Sequence, residues 1–204
     1  MPKSSIAPNG RVVPDTSVSK GARHLSGEGA RHFSDADGFT LIELLVVVTI
    51  IGIIAALAVP TLLRARITAN EAAAIGSVRA INTAESAYAA SAAAGSYAAQ
   101  LSILVLPCPG STVGFISPDL ANDPSQKSGY VIELGPGTAA AGTADCNGTA
   151  ARQGYYLTAV PRSVGTTGHR GFATSSRAVV FVDATGAPPT EAAMAPGGGG
   201  MPIQ

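Results

Sequence analysis

Residues 38–63 read Gly38-Phe39-Thr40-Leu41-Ile42-Glu43, followed by LLVVVTIIGIIAALAVPTLL. From Phe39 to Leu63 there are 25 residues and one charge, Glu43. At about 1.5 Å per residue such a run is roughly 37 Å long as a helix, enough to cross a hydrocarbon core of about 30 Å. A lone carboxylate near the end of a membrane segment costs about 2.5–3.5 kcal/mol on insertion scales, so it faces a partner rather than lipid. The run therefore predicts a transmembrane helix over 39–63 that carries one carboxylate with a purpose.

The helical pattern does not stop there. Residues 64–94 (RARITANEAAAIGSVRAINTAESAYAASAAA) are rich in Ala and contain no Pro. Ile67, Ala74, Val78, Ile81, Ala84 and Tyr88 recur at gaps of 7, 4, 3, 3 and 4, one apolar stripe at helical spacing. Arg79, Asn82, Glu85 and Ser86 are expected on the opposite, solvated face. One continuous helix from about 39 to 93 would be roughly 80 Å long, its first half in lipid and its second packed on a domain. Gly76 weakens it locally by about 1 kcal/mol. Pro60 removes one backbone donor and crowds the carbonyl four residues back, which predicts loosening between Gly52 and Pro60.

Beyond the helix, residues 95–127 read as a loop region with a short apolar patch at Leu101–Leu106. Three strand signals follow, each bounded by Gly or Pro: Gly129–Leu134, Tyr155–Val160 and Ala178–Asp183. The expected class is α+β, a long N-terminal helix packed on a small antiparallel sheet of about three strands within a head domain at 95–187. The Pro/Gly/Ala-rich segment 188–204 is expected to be a disordered tail. With 204 residues, the chain outside the apolar run can build one small domain.

The stretch G-F-T-L-I-E-L-L-V-V-V, continued through Gly52, Pro60 and L-L-R-A-R, resembles the processing and assembly signature of type IV pilins and type II secretion pseudopilins. That resemblance implies a cytoplasmic leader at 1–38, cut after Gly38 by a membrane prepilin peptidase that also methylates the new Phe39 amine. It further implies a single-pass inner-membrane protein with a periplasmic head, which assembles through an inner-membrane platform into a filament with other pilin subunits. In that family the segment around Gly52 and Pro60 unwinds as subunits pack. Pilus subunit is the first reading and secretion pseudopilin the second. An uncleaved, membrane-anchored periplasmic binding module is a third, and ordinary signal-peptidase cleavage after Ala56-Leu57-Ala58 would release a soluble domain.

Within this reading Glu43 acquires a mechanism from its charge. Cleavage creates an ammonium at Phe39, and a neighbouring subunit offset along the filament can bring its Glu43 to that ammonium. The alternative is a carboxylate that snorkels to the interface. Cys108 and Cys146 enclose 37 residues and form a candidate disulfide if the head is extracytoplasmic.

Other chemistries are poorly supported. Formal net charge is zero, so no cationic surface for nucleic acid is expected. His24 and His32 fall in the leader and His169 stands alone in a Gly/Thr loop, so no metal site is expected; Asp119–Asp123 and Asp145–Asn147 lack the spaced oxygen ligands of a calcium loop. Asn147-Gly148-Thr149 matches a glycosylation sequon. There is no P-loop, G-x-S-x-G, H-E-x-x-H or paired set of carboxylates, which reads as a protein that is not an enzyme and takes no cofactor.

Overall fold

The computed structural model describes residues 38–203. The leader expected at 1–38, with His24 and His32, lies outside the described residues except for Gly38. The chain divides into two units, 1–44 and 45–204. In the first, the described residues are Gly38, Phe39, Thr40 and the opening residues of α1 (Leu41–Ser91).

In the second unit, every residue from Leu45 to Arg66 is exposed in the isolated subunit. Val46, Val47, Val48, Ile50, Ile51, Ile53 and Ile54 are β-branched and lose side-chain freedom in a helix. In an apolar medium that loss is small beside the cost of an unpaired backbone N–H, so the helix is the form that survives. Among the described residues α1 holds the only segment long and apolar enough to span a membrane. The helix is unbroken through Pro60. The hydroxyls of Thr49 and Thr61 donate back to the carbonyls of Val46 (2.7 Å) and Leu57 (3.1 Å), so neither is left bare in the apolar run.

From Ile67 the helix buries one side. Ala74, Val78, Ile81, Ala84 and Tyr88 form the expected stripe. Two residues expected on the solvated face, Asn82 and Glu85, are buried instead, whereas Arg79 and Ser86 are exposed. The helix ends where Ala94 and Gly95 take positive φ (46° and 89°) and the Gly95 N–H reaches back to the Ala89 carbonyl at 2.8 Å.

The loop expected at 95–127 contains a short helix, α2 (Leu101–Val105), a 3-10 turn at Pro118–Leu120 and an edge strand, β1 (Ser125–Lys127). The further strands are β2 (Tyr130–Gly135), β3 (Ala141–Ala144), β4 (Ala150–Arg152), β5 (Tyr156–Pro161), β6 (Gly171–Ser175), β7 (Phe181–Asp183) and β8 (Met201–Pro202). They build a six-stranded antiparallel sheet in the order β1-β2-β5-β6-β7-β8, with β3 and β4 forming a separate hairpin. The class is α+β as expected, and the sheet is twice as wide. The three expected strands correspond to β2, β5 and β7, but β6 lies between the latter two.

Alternation explains the strands that could be read. In β2 the side chains of Tyr130, Ile132 and Leu134 point into the core, and in β5 those of Leu157 and Ala159 do. These meet Val78, Ile81, Tyr88, Leu101, Leu104 and Phe172 in one apolar cluster. Strand β6 is different: Gly171, Phe172, Ala173 and Thr174 are all buried, so both faces are covered. A side chain at Gly171 would collide with the Ala187 carbonyl. The segment expected as a disordered tail is therefore part of the fold. It forms α3 (Glu191–Met194), capped by the Thr190 side chain, and returns as β8 against β7.

Candidate processing and assembly site

Three groups of residues matter here: the N-terminal junction, the exposed apolar face, and the polar contacts that fix α1 to the sheet.

At the junction, a Cβ added to Gly38 would meet nothing within 4 Å. Folding of the chain thus makes no demand for glycine at this position. Phe39 is 81% exposed. Thr40 and Glu43 form a reciprocal capping box. The Thr40 backbone N–H donates to Glu43 Oε2 at 2.9 Å, and the Glu43 N–H donates to Thr40 Oγ1 at 3.2 Å. The Thr40 hydroxyl adds a 2.6 Å bond to the same carboxylate oxygen. Glu43 thus has a partner within its own chain, which the sequence reading overlooked although the T-x-x-E spacing before an apolar run is its signature. The box does not involve the Gly38–Phe39 bond, so scission there leaves it in place.

Gly52 and Pro60 lie on the exposed apolar helix, and a Cβ at Gly52 would also meet nothing within 4 Å. Around Pro60, the residues Ile54, Leu57, Ala58, Leu62 and Ala65 line a shallow apolar depression.

Polar contacts, most of them spanning more than ninety residues of sequence, hold α1 to the head. Buried Glu71 accepts from the backbone N–H groups of His169 (2.8 Å) and Arg170 (3.2 Å) and from the Arg170 guanidinium Nε (2.8 Å). A second guanidinium nitrogen closes an ion pair at 2.7 Å. Burial works to raise the Glu71 pKa, but these donors outweigh it and hold the carboxyl below its ordinary value. Asn82 donates to Thr174 Oγ1 and the Ala178 carbonyl, both at 3.2 Å, and accepts from the Tyr155 hydroxyl at 3.0 Å. Glu85 is fully buried; one oxygen accepts from the Ala98 N–H at 2.9 Å and Oε1 has no partner. Burial pushes this carboxyl up to about 8.

The acidic loops have structural work. Asp119 pairs with Lys127 at 2.6 Å. Asp123 accepts from the N–H groups of Leu101 (2.9 Å) and Leu134 (3.2 Å), tying α2 to β2. Asp145 shapes the β3–β4 turn by accepting from the Asn147 and Thr149 N–H groups, and its other oxygen accepts from the Tyr88 hydroxyl at 2.9 Å.

Cys108 and Cys146 are bonded to each other, with Cα atoms 5.6 Å apart, and join the segment after α2 to that same turn. The enclosed loop, a sequence separation of 38, corresponds to about 3–4 kcal/mol of unfolded-chain entropy. Reduction is therefore expected to lower the melting temperature of the purified chain. Two thiols titrating in denaturant without reductant would show that the bond does not form.

Residues 34–59 match the family model described as the prokaryotic N-terminal methylation motif. This is the prepilin-type motif of type IV pilins and pseudopilins, whose chains are structural rather than enzymatic. The match takes in Gly38, Phe39, Glu43 and Gly52 and stops one residue before Pro60. No curated protein and no solved structure matches the chain.

Proposed function

We propose that this chain is a structural subunit of a type IV pilus or a closely related filament. In this reading prepilin peptidase cuts after Gly38, Phe39 is N-methylated, and the helix from Phe39 becomes the assembly element. The head then lies on the periplasmic side until subunits are drawn into the filament through the inner-membrane platform. A secretion pseudopilus uses the same motif and the same processing.

The observation that carries this reading is the motif itself, placed where it opens α1. It is supported by Leu45–Leu63, an apolar run that is exposed throughout in the isolated subunit. Lipid covers such a face before assembly, and neighbouring helices cover it afterwards. The apolar depression around Pro60 and the missing Pro60 donor make this stretch the one most readily repacked.

Intact-mass and N-terminal analysis of the membrane-extracted chain tests the proposal. The expected result is an N-methylated Phe39. A chain beginning at Met1 would mark an uncut anchor, and one beginning at Val59 an exported soluble domain; either overturns the filament reading.

A further inference from the structure

Immediately after the exposed apolar run, Arg64, Ile67, Thr68, Glu71, His169 and Arg170 line a cavity of about 290 Å³. Arg64 follows the last apolar residue of the run, Leu63, and Glu71 lies eight residues beyond Leu63. At about 1.5 Å per residue the lining side chains begin within roughly 2 Å of the hydrocarbon edge and end roughly 12 Å from it. A bilayer of about 40–45 Å with a core of about 30 Å leaves headgroup layers of roughly 5–8 Å, so the Arg64–Thr68 end of the cavity falls at headgroup depth and its Glu71 end just outside it.

Its charge is one-sided. Glu71 is the only carboxylate in the lining, and its oxygens are taken up by His169 and Arg170. The paired Arg170 guanidinium also lies over the Phe172 ring, at 5.8 Å from its centroid. The Arg64 side chain has no hydrogen-bonded or ionic partner among the described residues. The His169 ring is exposed beside it.

We propose that this cavity binds the phosphodiester of an anionic phospholipid, seated between Arg64, His169 and Arg170, in the leaflet on the head side. Arg64 supplies the unpaired charge, Arg170 a preorganised guanidinium, and Ile67 an apolar wall where the headgroup meets its acyl chains. The site would hold the head at a fixed height on the bilayer. It requires only that the span be in a membrane, so it is independent of cleavage and of filament formation.

The test uses the full chain in detergent, titrated with phosphatidylglycerol or phosphatidylcholine, with retained lipids counted by native mass spectrometry. The expected result is one retained phosphatidylglycerol, preferred by about fivefold or more, as one surface arginine contributes near a membrane. Arg64→Gln with His169→Gln should abolish the preference. Arg66→Gln, outside the cavity, should keep it. Equal loss with Arg66→Gln would show a general interfacial attraction and overturn the site, as would equal retention of phosphatidylcholine. Displacement of the lipid by millimolar inorganic phosphate would show a free-phosphate site and also overturn it. Unchanged thermal melting of the double variant establishes that any loss is not unfolding.

Discussion

Filament yield is expected to collapse when Glu43 is replaced by valine, while cleavage after Gly38 and membrane insertion continue. Insertion alone should improve, because removing a carboxylate from the membrane relieves about 2.5–3.5 kcal/mol on insertion scales. Loss of the bond from Thr40 N–H to Glu43 Oε2, 2.9 Å long, costs the helix start about 1 kcal/mol. Neither effect touches assembly. If Phe39 is the mature N-terminus, as proposed, the large effect arises between subunits, where its ammonium would lose the carboxylate expected to compensate it.

The capping box supplies a sharper variant. Glutamine keeps an acceptor for the Thr40 N–H at the same position and carries no charge. If pairing with the Phe39 ammonium drives assembly, Glu43→Gln should fail nearly as badly as Glu43→Val. If the residue serves only to cap α1, glutamine should restore filaments. Sheared-filament yield against membrane-pool abundance distinguishes the two, and normal yield from the glutamine variant removes the paired-charge mechanism.

How much of this was legible depended on whether a residue's partner lies nearby in the chain. The apolar run, the Ile67–Tyr88 stripe and the alternating strands β2 and β5 are periodic, and periodicity is local. Strand β6, Gly-Phe-Ala-Thr-Ser, lacks alternation because both its faces are buried, and it was not among the expected strands. The tail looked unstructured by composition, yet its glycines permit close passage: a Cβ at Gly198 or Gly200 would strike a carbonyl oxygen. Asn82 looked like a solvated helix residue because its partner Thr174 lies 92 residues away, and the pairing of Glu71 with Arg170 spans 99. The Thr40–Glu43 box was fully local and still missed.

Glu85 was the most misleading of these residues, and it carries the second large effect. The head is expected to lose stability as pH rises from about 5 to 8, and Glu85→Gln should remove most of that loss. The carboxyl is fully buried with one backbone donor, Ala98 N–H, and an oxygen that meets no donor at all. Tyr88 and Tyr155 lie close enough to feel its charge, and burial raises both phenols above their ordinary value, so neither titrates in this window. Burial raises the folded-state pKa of Glu85 from 4.5 to about 8. Below pH 4.5 both folded and unfolded chains hold the proton and the neutral group costs little. Between the two values only the folded chain holds it, so stability falls by up to about 1.4 kcal/mol per pH unit. Above about 8 the decline ends, after a total of at most about 5 kcal/mol. Glu71 acts in the opposite direction and at lower pH: its lowered pKa gives stability that disappears on acidification, when the Arg170 pair is lost. Thermal melts of the full chain in detergent from pH 4.5 to 9 should therefore show a maximum on the acid side in the wild type. The glutamine variant should be nearly flat from pH 5 to 8 and melt well above wild type at pH 9. Parallel profiles for the two proteins would mean that Glu85 ionises in the folded head at no cost, and that water or a rearranged 92–100 segment reaches its free oxygen.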